Sequence, residues 1–308
     1  GNTYGSHDGT SLVERFLNEA AETGRTLLSV GTGNEASEAG HTSGILTEGQ
    51  EERVSLAVQE RQGAFSVQIW KDYTDVVGIL LETPSGERIG PIREIMGTQR
   101  FQTGKTEILM YYGEPSPYSG LQEIYFEFLP SKDYVNSGEW AFLLIPEKIV
   151  EGRYEMWLPS SYVLNEGTAF LYPTAERTIT IPATAERILA VGAYDARTMA
   201  YGDFSGRGGE EGDRIRPDIV APGVNVTSVQ GEKGYASFTG TSFATPFVSG
   251  GGALLMEWGI INGNDPYLYG EKLKAYLKRG AKKLQGYEVW PNNQLGYGAL
   301  CIRNSIPL

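Results

Sequence analysis

The chain has 308 residues, 40% of them hydrophobic, which is enough core for one large domain or two modest ones. Its 38 acidic and 26 basic residues leave a formal charge of -12, which excludes the basic stripe of a nucleic-acid binder. Cys301 is the only cysteine, so an intrachain disulfide and a cysteine-rich metal site are excluded. No apolar run approaches the roughly 18 residues of a membrane span.

In chain order, residues 1–9 (GNTYGSHDG) lack the basic start and apolar core of a signal peptide and read as the cut edge of a longer protein. Residues 10–23 place Leu12, Val13, Phe16, Leu17 and Ala20 on one face, with Gly24 as a stop, which predicts an amphipathic helix. Residues 26–30 (TLLSV) read as a buried parallel strand that empties into the glycine-rich turn of Gly31, Thr32, Gly33 and Asn34. A polar loop at the carboxyl end of such a strand is where an open α/β sheet presents a site.

From about residue 47 to 181 the texture changes. Val54/Leu56/Val58 and Phe65/Val67/Ile69 alternate at period two. Strand-like runs follow at 76–81, 107–112, 123–129, 140–145 and 154–158, punctuated by Pro/Gly/Ser/Asn turns. This pattern predicts a β-sandwich or jelly roll. The α/β texture returns with strands at 187–193, 219–221 and 224–229, then a helix from about Thr241 to Trp258. A last helix, at about 270–279, turns Leu273, Tyr276 and Leu277 inward and its lysines to solvent. Residues 296–302 around Cys301 read as a buried strand.

The expected architecture is therefore α/β: a partial parallel-sheet domain in two pieces, 1–46 and 182–308, with an all-β domain at 47–181 inserted between them.

The stretch FTGTSFATPFVSGGGA, residues 238–253, carries the chemistry. Ser242 begins a helix, where backbone N–H groups and the dipole favour negative charge, as an acyl-transfer nucleophile requires when a carbonyl becomes an oxyanion. Serine is also a common N-cap, which is the plain reading of Ser242 taken alone. Pro246 is tolerated early in a helix, and Gly250, Gly251 and Gly252 in its middle imply close packing in a core.

The run from Gly240 to Gly250 (GTSFATPFVSG) resembles the serine signature of subtilisin-like proteases, the subtilase family. Residues 216–223 (RPDIVAPG), 188–193 (ILAVGA) and 29–35 (SVGTGNE) are similar to that family's preceding strand and turn, its earlier core strand and its oxyanion-hole segment, in the family's order. The resemblance implies a subtilisin-like fold and serine endopeptidase activity. Ser242 is then the nucleophile, Asn34 the side-chain oxyanion donor, and Gly31, Thr32, Gly33, Gly240 and Thr241 the lining of the substrate cleft.

The catalytic histidine and aspartate of the family are expected upstream of Gly1. His7 and His41 both lie outside an H-G-T-H-type context, so the chain is expected to be inactive alone. Its implied partners are a polypeptide substrate and the missing amino-terminal segment, with an open sheet edge inviting a homo-oligomer and neither nucleic acid nor a membrane span involved. No cofactor is required. A structural calcium is implied at most, at Glu210, Glu211 and Asp213.

The long insertion is similar to that of the Csp-type germination proteases of spore-forming anaerobes. This implies activation of a cortex-lytic zymogen by limited proteolysis, and a spore-associated or extracellular place. Two other classes stay open: a pseudoprotease acting as a regulatory binding module, and carbohydrate binding by the insertion through Trp70, Tyr73, Trp140 and Trp157. The sequon Asn225-Val-Thr227 is read as part of a core-like strand and set aside.

Overall fold

The computed structural model describes residues 1–308 except 93, 96, 210–213, 232–233 and 308. Two compact units emerge. One comprises 1–2, 7–37 and 175–308, and the other comprises 3–6 and 38–174. The sequence reading draws its boundaries at 46 and 181. Residues 41–45 instead form a strand, His41–Ile45, paired to Arg153–Trp157 within the β-rich unit.

The first unit is built on a short parallel sheet. Ser29–Gly31 runs parallel to Leu189–Asp195, which runs parallel to Ile219–Pro222. Alternation along the central strand sends Leu189, Val191 and Ala193 to one face, where Ala244, Val248 and Leu255 of helix α2 (Thr241–Met256) cover them. Ile188 and Ala190 face the other way, against Ile179 and Leu17. Both faces are thus covered, which is why these strands read as unbroken apolar runs.

Helix α1 (Leu12–Thr23) sits on that second side, but not with the predicted face inward. Leu12, Val13 and Phe16 are exposed, and Leu17 alone of the predicted residues is recorded against the core. The cause is Glu14, fully buried, whose carboxylate closes a capping box with Ser11 and accepts from Thr184 Oγ1. A buried carboxylate needs these donors, and satisfying it sets the rotation of the helix over the apolar stripe.

Helix α3 (Gly270–Gly280) buries Leu273 and Leu277 as expected. Its lysines are not all a solvated face. Lys274 is buried, and Lys278 Nζ lies 2.5 Å from the buried carboxylate of Asp218, which also takes Arg216. A buried charge needs such partners, and a short helix beside Asp218 supplies one. Residues 296–301 do not form a strand. Ala299 makes isolated bridges to Val220 and Lys282, and Cys301 precedes helix α4 (Ile302–Ser305).

The β-rich unit has two antiparallel sheets. One is ordered Ala169–Phe170, Glu52–Val58, Gly138–Lys148, Val76–Glu82, Arg88–Ile92. The other is ordered His41–Ile45, Arg153–Trp157, Phe65–Asp72, Leu121–Pro130, Thr106–Tyr112, Gly97–Thr103. The period-two residues Val54, Leu56, Val58, Phe65, Val67 and Ile69 are all buried in one cluster.

Phe128 is central to that cluster. It stacks on Phe65 with ring centroids 4.7 Å apart and meets Trp140 of the other sheet edge-on at 5.1 Å. We expect Phe128→Ala to destabilise this unit by about 3–5 kcal/mol, the usual cost of an emptied aromatic site. Urea unfolding followed by near-ultraviolet circular dichroism will show it. A loss below about 1 kcal/mol would mean that the two inner faces are not held through this ring.

Candidate active site

Chain geometry at the start of α2 follows from Gly240. Its φ of 148° lies where only glycine is at ease, and a Cβ there would press on Asn34 Nδ2 at 3.1 Å. Ser242 is two residues further on, exposed, in the first turn of the helix. First-turn N–H groups have no carbonyl partner inside the helix, so the N–H of Ser242 faces outward with the positive end of the dipole. Among the described residues nothing bonds to the Ser242 hydroxyl.

Pro246 acts differently from the expectation. The N–H it lacks is the one that would have bonded the Ser242 carbonyl, so the helix is loosened one turn below the serine. The glycine run divides as well. Gly251 and Gly252 are buried where a Cβ would strike Ile302 and Leu27, whereas Gly250 faces open space.

Asn34 is fastened to the residue before the serine. Its Oδ1 accepts from the Thr241 backbone N–H at 3.0 Å and from Thr241 Oγ1 at 3.1 Å. Because both donors claim the oxygen, the carboxamide has one orientation, with Nδ2 turned away from Thr241 and free to donate. Thr241 is itself buried, and its Oγ1 also accepts from the Gly33 N–H at 3.2 Å. Gly31 lies close enough that a Cβ would sit 3.0 Å from the hydroxyls of Thr241 and Thr245.

The predicted Gly31, Thr32, Gly33, Asn34, Gly240, Thr241 and Ser242 therefore come together at one place. Thr32 contributes through its backbone only. Its side chain is buried beside Ser205, and its carbonyl accepts from the N–H and Oγ1 of Thr180.

Thr180 is a residue that sequence reasoning missed. It is buried, and a Cβ on Gly33 (φ 92°) or on Gly1 would collide with its side chain. The backbones of Gly1 and Gly33 thus both close on Thr180. Nothing in the local sequence TITIP signals this, because the contact is made by distant glycines.

Neither histidine is hydrogen-bonded to the Ser242 hydroxyl. His7 Nδ1 lies 2.8 Å from the Ile179 carbonyl. His41 is buried in the β-rich unit, stacked on Trp157 at 4.1 Å with Nε2 at 3.3 Å from Glu155. Two of the four aromatic residues considered for sugar stacking, Trp140 and Trp157, are buried and cannot present a face. Glu210, Glu211 and Asp213, the calcium candidates, lie outside the described residues. Among the described residues no group of three or more His, Cys, Asp or Glu side chains is placed to hold a metal ion. No helix among them is long and apolar enough to cross a membrane.

Residues 165–298 match the subtilase family, Peptidase S8. The structure of the Clostridium perfringens CspB protease superposes with a TM-score of 0.91 at 36% identity, over 99% of this chain and 63% of that one. Over residues 165–298, then, the chain is similar to the subtilases. The minor extracellular protease Vpr of Bacillus subtilis is 36% identical over 104 residues, 30% of this chain and 12% of Vpr. The PII-type proteinase of Lactococcus lactis subsp. cremoris is 37% identical over 90 residues, 29% of this chain and 5% of that protein. This chain thus spans under two thirds of the CspB chain and a small part of these curated relatives.

Proposed function

We propose that this chain supplies the nucleophile and the oxyanion hole of a serine endopeptidase. The observation that supports the reading is the double hydrogen bond from Thr241 to Asn34 Oδ1, which fastens Asn34 to the residue before Ser242 and leaves its amide free to donate. In the proposed reaction Ser242 Oγ attacks the peptide carbonyl carbon and the new C–O bond forms. The carbonyl π electrons move to oxygen, and the resulting oxyanion is held by the Ser242 N–H and Asn34 Nδ2. The hydroxyl proton passes to a base, which then protonates the departing amine as the C–N bond breaks. Water, activated by the same base, releases the acyl group.

Because His7 and His41 are committed elsewhere, the base and its orienting carboxylate are proposed to come from polypeptide outside these 308 residues. The chain alone is then inactive. Reaction with a serine-directed phosphonate tests this: labelling is expected at Ser242 once a histidine-bearing complement is present, and no labelling in either state would overturn the reading. The unpartnered Ser242 hydroxyl also favours a second reading, a pseudoprotease that binds polypeptide without cutting it.

The finer reading is activation of a cortex-lytic zymogen during spore germination, by an enzyme whose antiparallel insertion is a jelly roll. Its support is the likeness to the Clostridium perfringens CspB protease along nearly the whole chain.

Thr180, between Gly1 and Gly33, would floor the pocket for the side chain preceding the scissile bond. Such a pocket admits small side chains. We expect Thr180→Gly to shift kcat/KM toward leucine over alanine at that position by about tenfold, since each methylene accommodated is worth about 1–3 kcal/mol in a pocket of this kind. Matched peptide pairs will measure the shift, and an unchanged ratio would remove Thr180 from the pocket.

A further inference from the structure

A second concavity lies beside α2. It is a groove of about 550 Å³, within the range of roughly 300–1,000 Å³ that takes small ligands or peptide side chains. Val224, Val226 and Phe247 give it apolar surface, with Phe247 45% exposed. Asp195, Arg197 and Asn225 give it a polar rim.

The rim charges are unequal in what they offer. Asp195 turns its Oδ1 to the Arg197 backbone N–H at 2.8 Å, and that bond holds its carboxyl below the usual range. The Arg197 guanidinium touches Asp195 through Nε alone, at 3.5 Å. Its two Nη groups have no partner among the described residues, and the side chain is 69% exposed. The open charge on the rim is therefore positive. Asn225, the residue of the sequon, is exposed rather than buried in a strand, with φ 52°. Only residues 226–229 of that stretch form the strand Val226–Val229, paired with Tyr235–Phe238.

Helical geometry relates the groove to the serine. At 100° per residue, Thr241 and Thr245 share one face of α2, and Phe243 and Phe247 lie about 200° further round. The first face receives Gly31, Gly33 and Asn34. The second receives the hairpin: Phe243 stacks on Phe238 at 4.9 Å, and Phe247 lines the groove. Ser242 stands between them. The groove is also tied to the segment leading into the serine, because the Asn225 N–H donates to Thr239 Oγ1 at 3.0 Å.

If the side chain before the scissile bond sits on the glycine side, the chain after it runs toward the aromatic side. Ser242 and Phe247 are separated by about 7.5 Å of helix rise, so three to five extended residues reach the groove at roughly 3.3 Å each.

We propose that this groove binds the leaving-side segment of the polypeptide substrate, seating an apolar side chain on Phe247 and Val226 beside an acidic residue at Arg197. The inference rests on the endopeptidase reading and adds the chemistry of the substrate. Against the chain's net charge of -12, the exposed guanidinium of Arg197 is the group of this rim that attracts an acidic residue. That supplies register more than affinity.

The test is cleavage of a proteome-derived peptide library by the active protein, read by mass spectrometry, for wild type, Arg197→Glu and Arg197→Lys. Wild type is expected to show roughly two- to fivefold enrichment of Asp and Glu at the third to fifth positions after the cut, the range for an exposed ion pair. Arg197→Lys should keep it, and Arg197→Glu should turn it toward Lys and Arg. A reversal of sign cannot come from partial unfolding, which lowers all cleavages alike. A profile identical in the three proteins, or flat in wild type, overturns the groove. Protein that labels with phosphonate at Ser242 but gives a flat profile sinks this inference alone, whereas protein that neither labels nor cuts sinks the endopeptidase reading with it.

Discussion

Ser242→Ala will abolish covalent capture of a serine-directed phosphonate by the active protein and will lower kcat/KM for peptides by several orders of magnitude. In a related protease the loss of this nucleophile costs on the order of 10⁶ in kcat. The fold should not suffer. Ser242 is exposed, it is second in the helix after the Gly240 cap, and its hydroxyl makes no bond among the described residues. Alanine there removes a reactive atom and leaves the first turn intact, so an unchanged melting temperature is part of the expected result. Labelling that persists in the alanine variant would place the nucleophile elsewhere and end the protease reading of this site.

Asn34 separates two roles that a single alanine would confuse. Asn34→Ala removes the Nδ2 donor and also strands the Thr241 N–H and hydroxyl that its Oδ1 now accepts. We expect kcat to fall by about 10²–10³ with KM little changed; that magnitude is the one known for the corresponding donor of a relative. Part of any effect would be structural. Asn34→Asp resolves this, because a carboxylate still accepts both Thr241 bonds but offers no donor and sets negative charge against the oxyanion. Its expected signature is a melting temperature close to wild type with kcat reduced at least as far as in the alanine variant. An aspartate variant that turns over near the wild-type rate would show that Asn34 only fastens Thr241.

Much of this arrangement was legible because it is encoded locally. The start of α2 needs Gly240 for its φ, and Thr241 to grip Asn34, so these stand together in the sequence. Period two in residues 54–58 and 65–69 named buried positions of the β-rich unit for an equally local reason. The failures share another cause. The rotation of α1 is set by the carboxylate of Glu14 meeting Thr184, a partner far along the chain. Thr180 is enclosed by glycines that approach it from elsewhere, and Lys278 is drawn from solvent by a buried aspartate sixty positions earlier. The edge strands His41–Ile45 and Gly97–Thr103 went unread because their partly polar sequences carry too little alternation.

The two ends of the long segment of the β-rich unit adjoin. The Thr174 N–H donates to the His41 carbonyl at 2.9 Å, so a stretch of well over a hundred residues begins and ends at one hydrogen bond. Such a segment is a loop with its ends already joined. Closing it adds almost nothing to the entropy of folding whatever its contents, because the cost depends on the span between the ends and only weakly on the length inside. A short Gly/Ser bridge from Ser37 to Ala175 is therefore a natural design for a version without this segment.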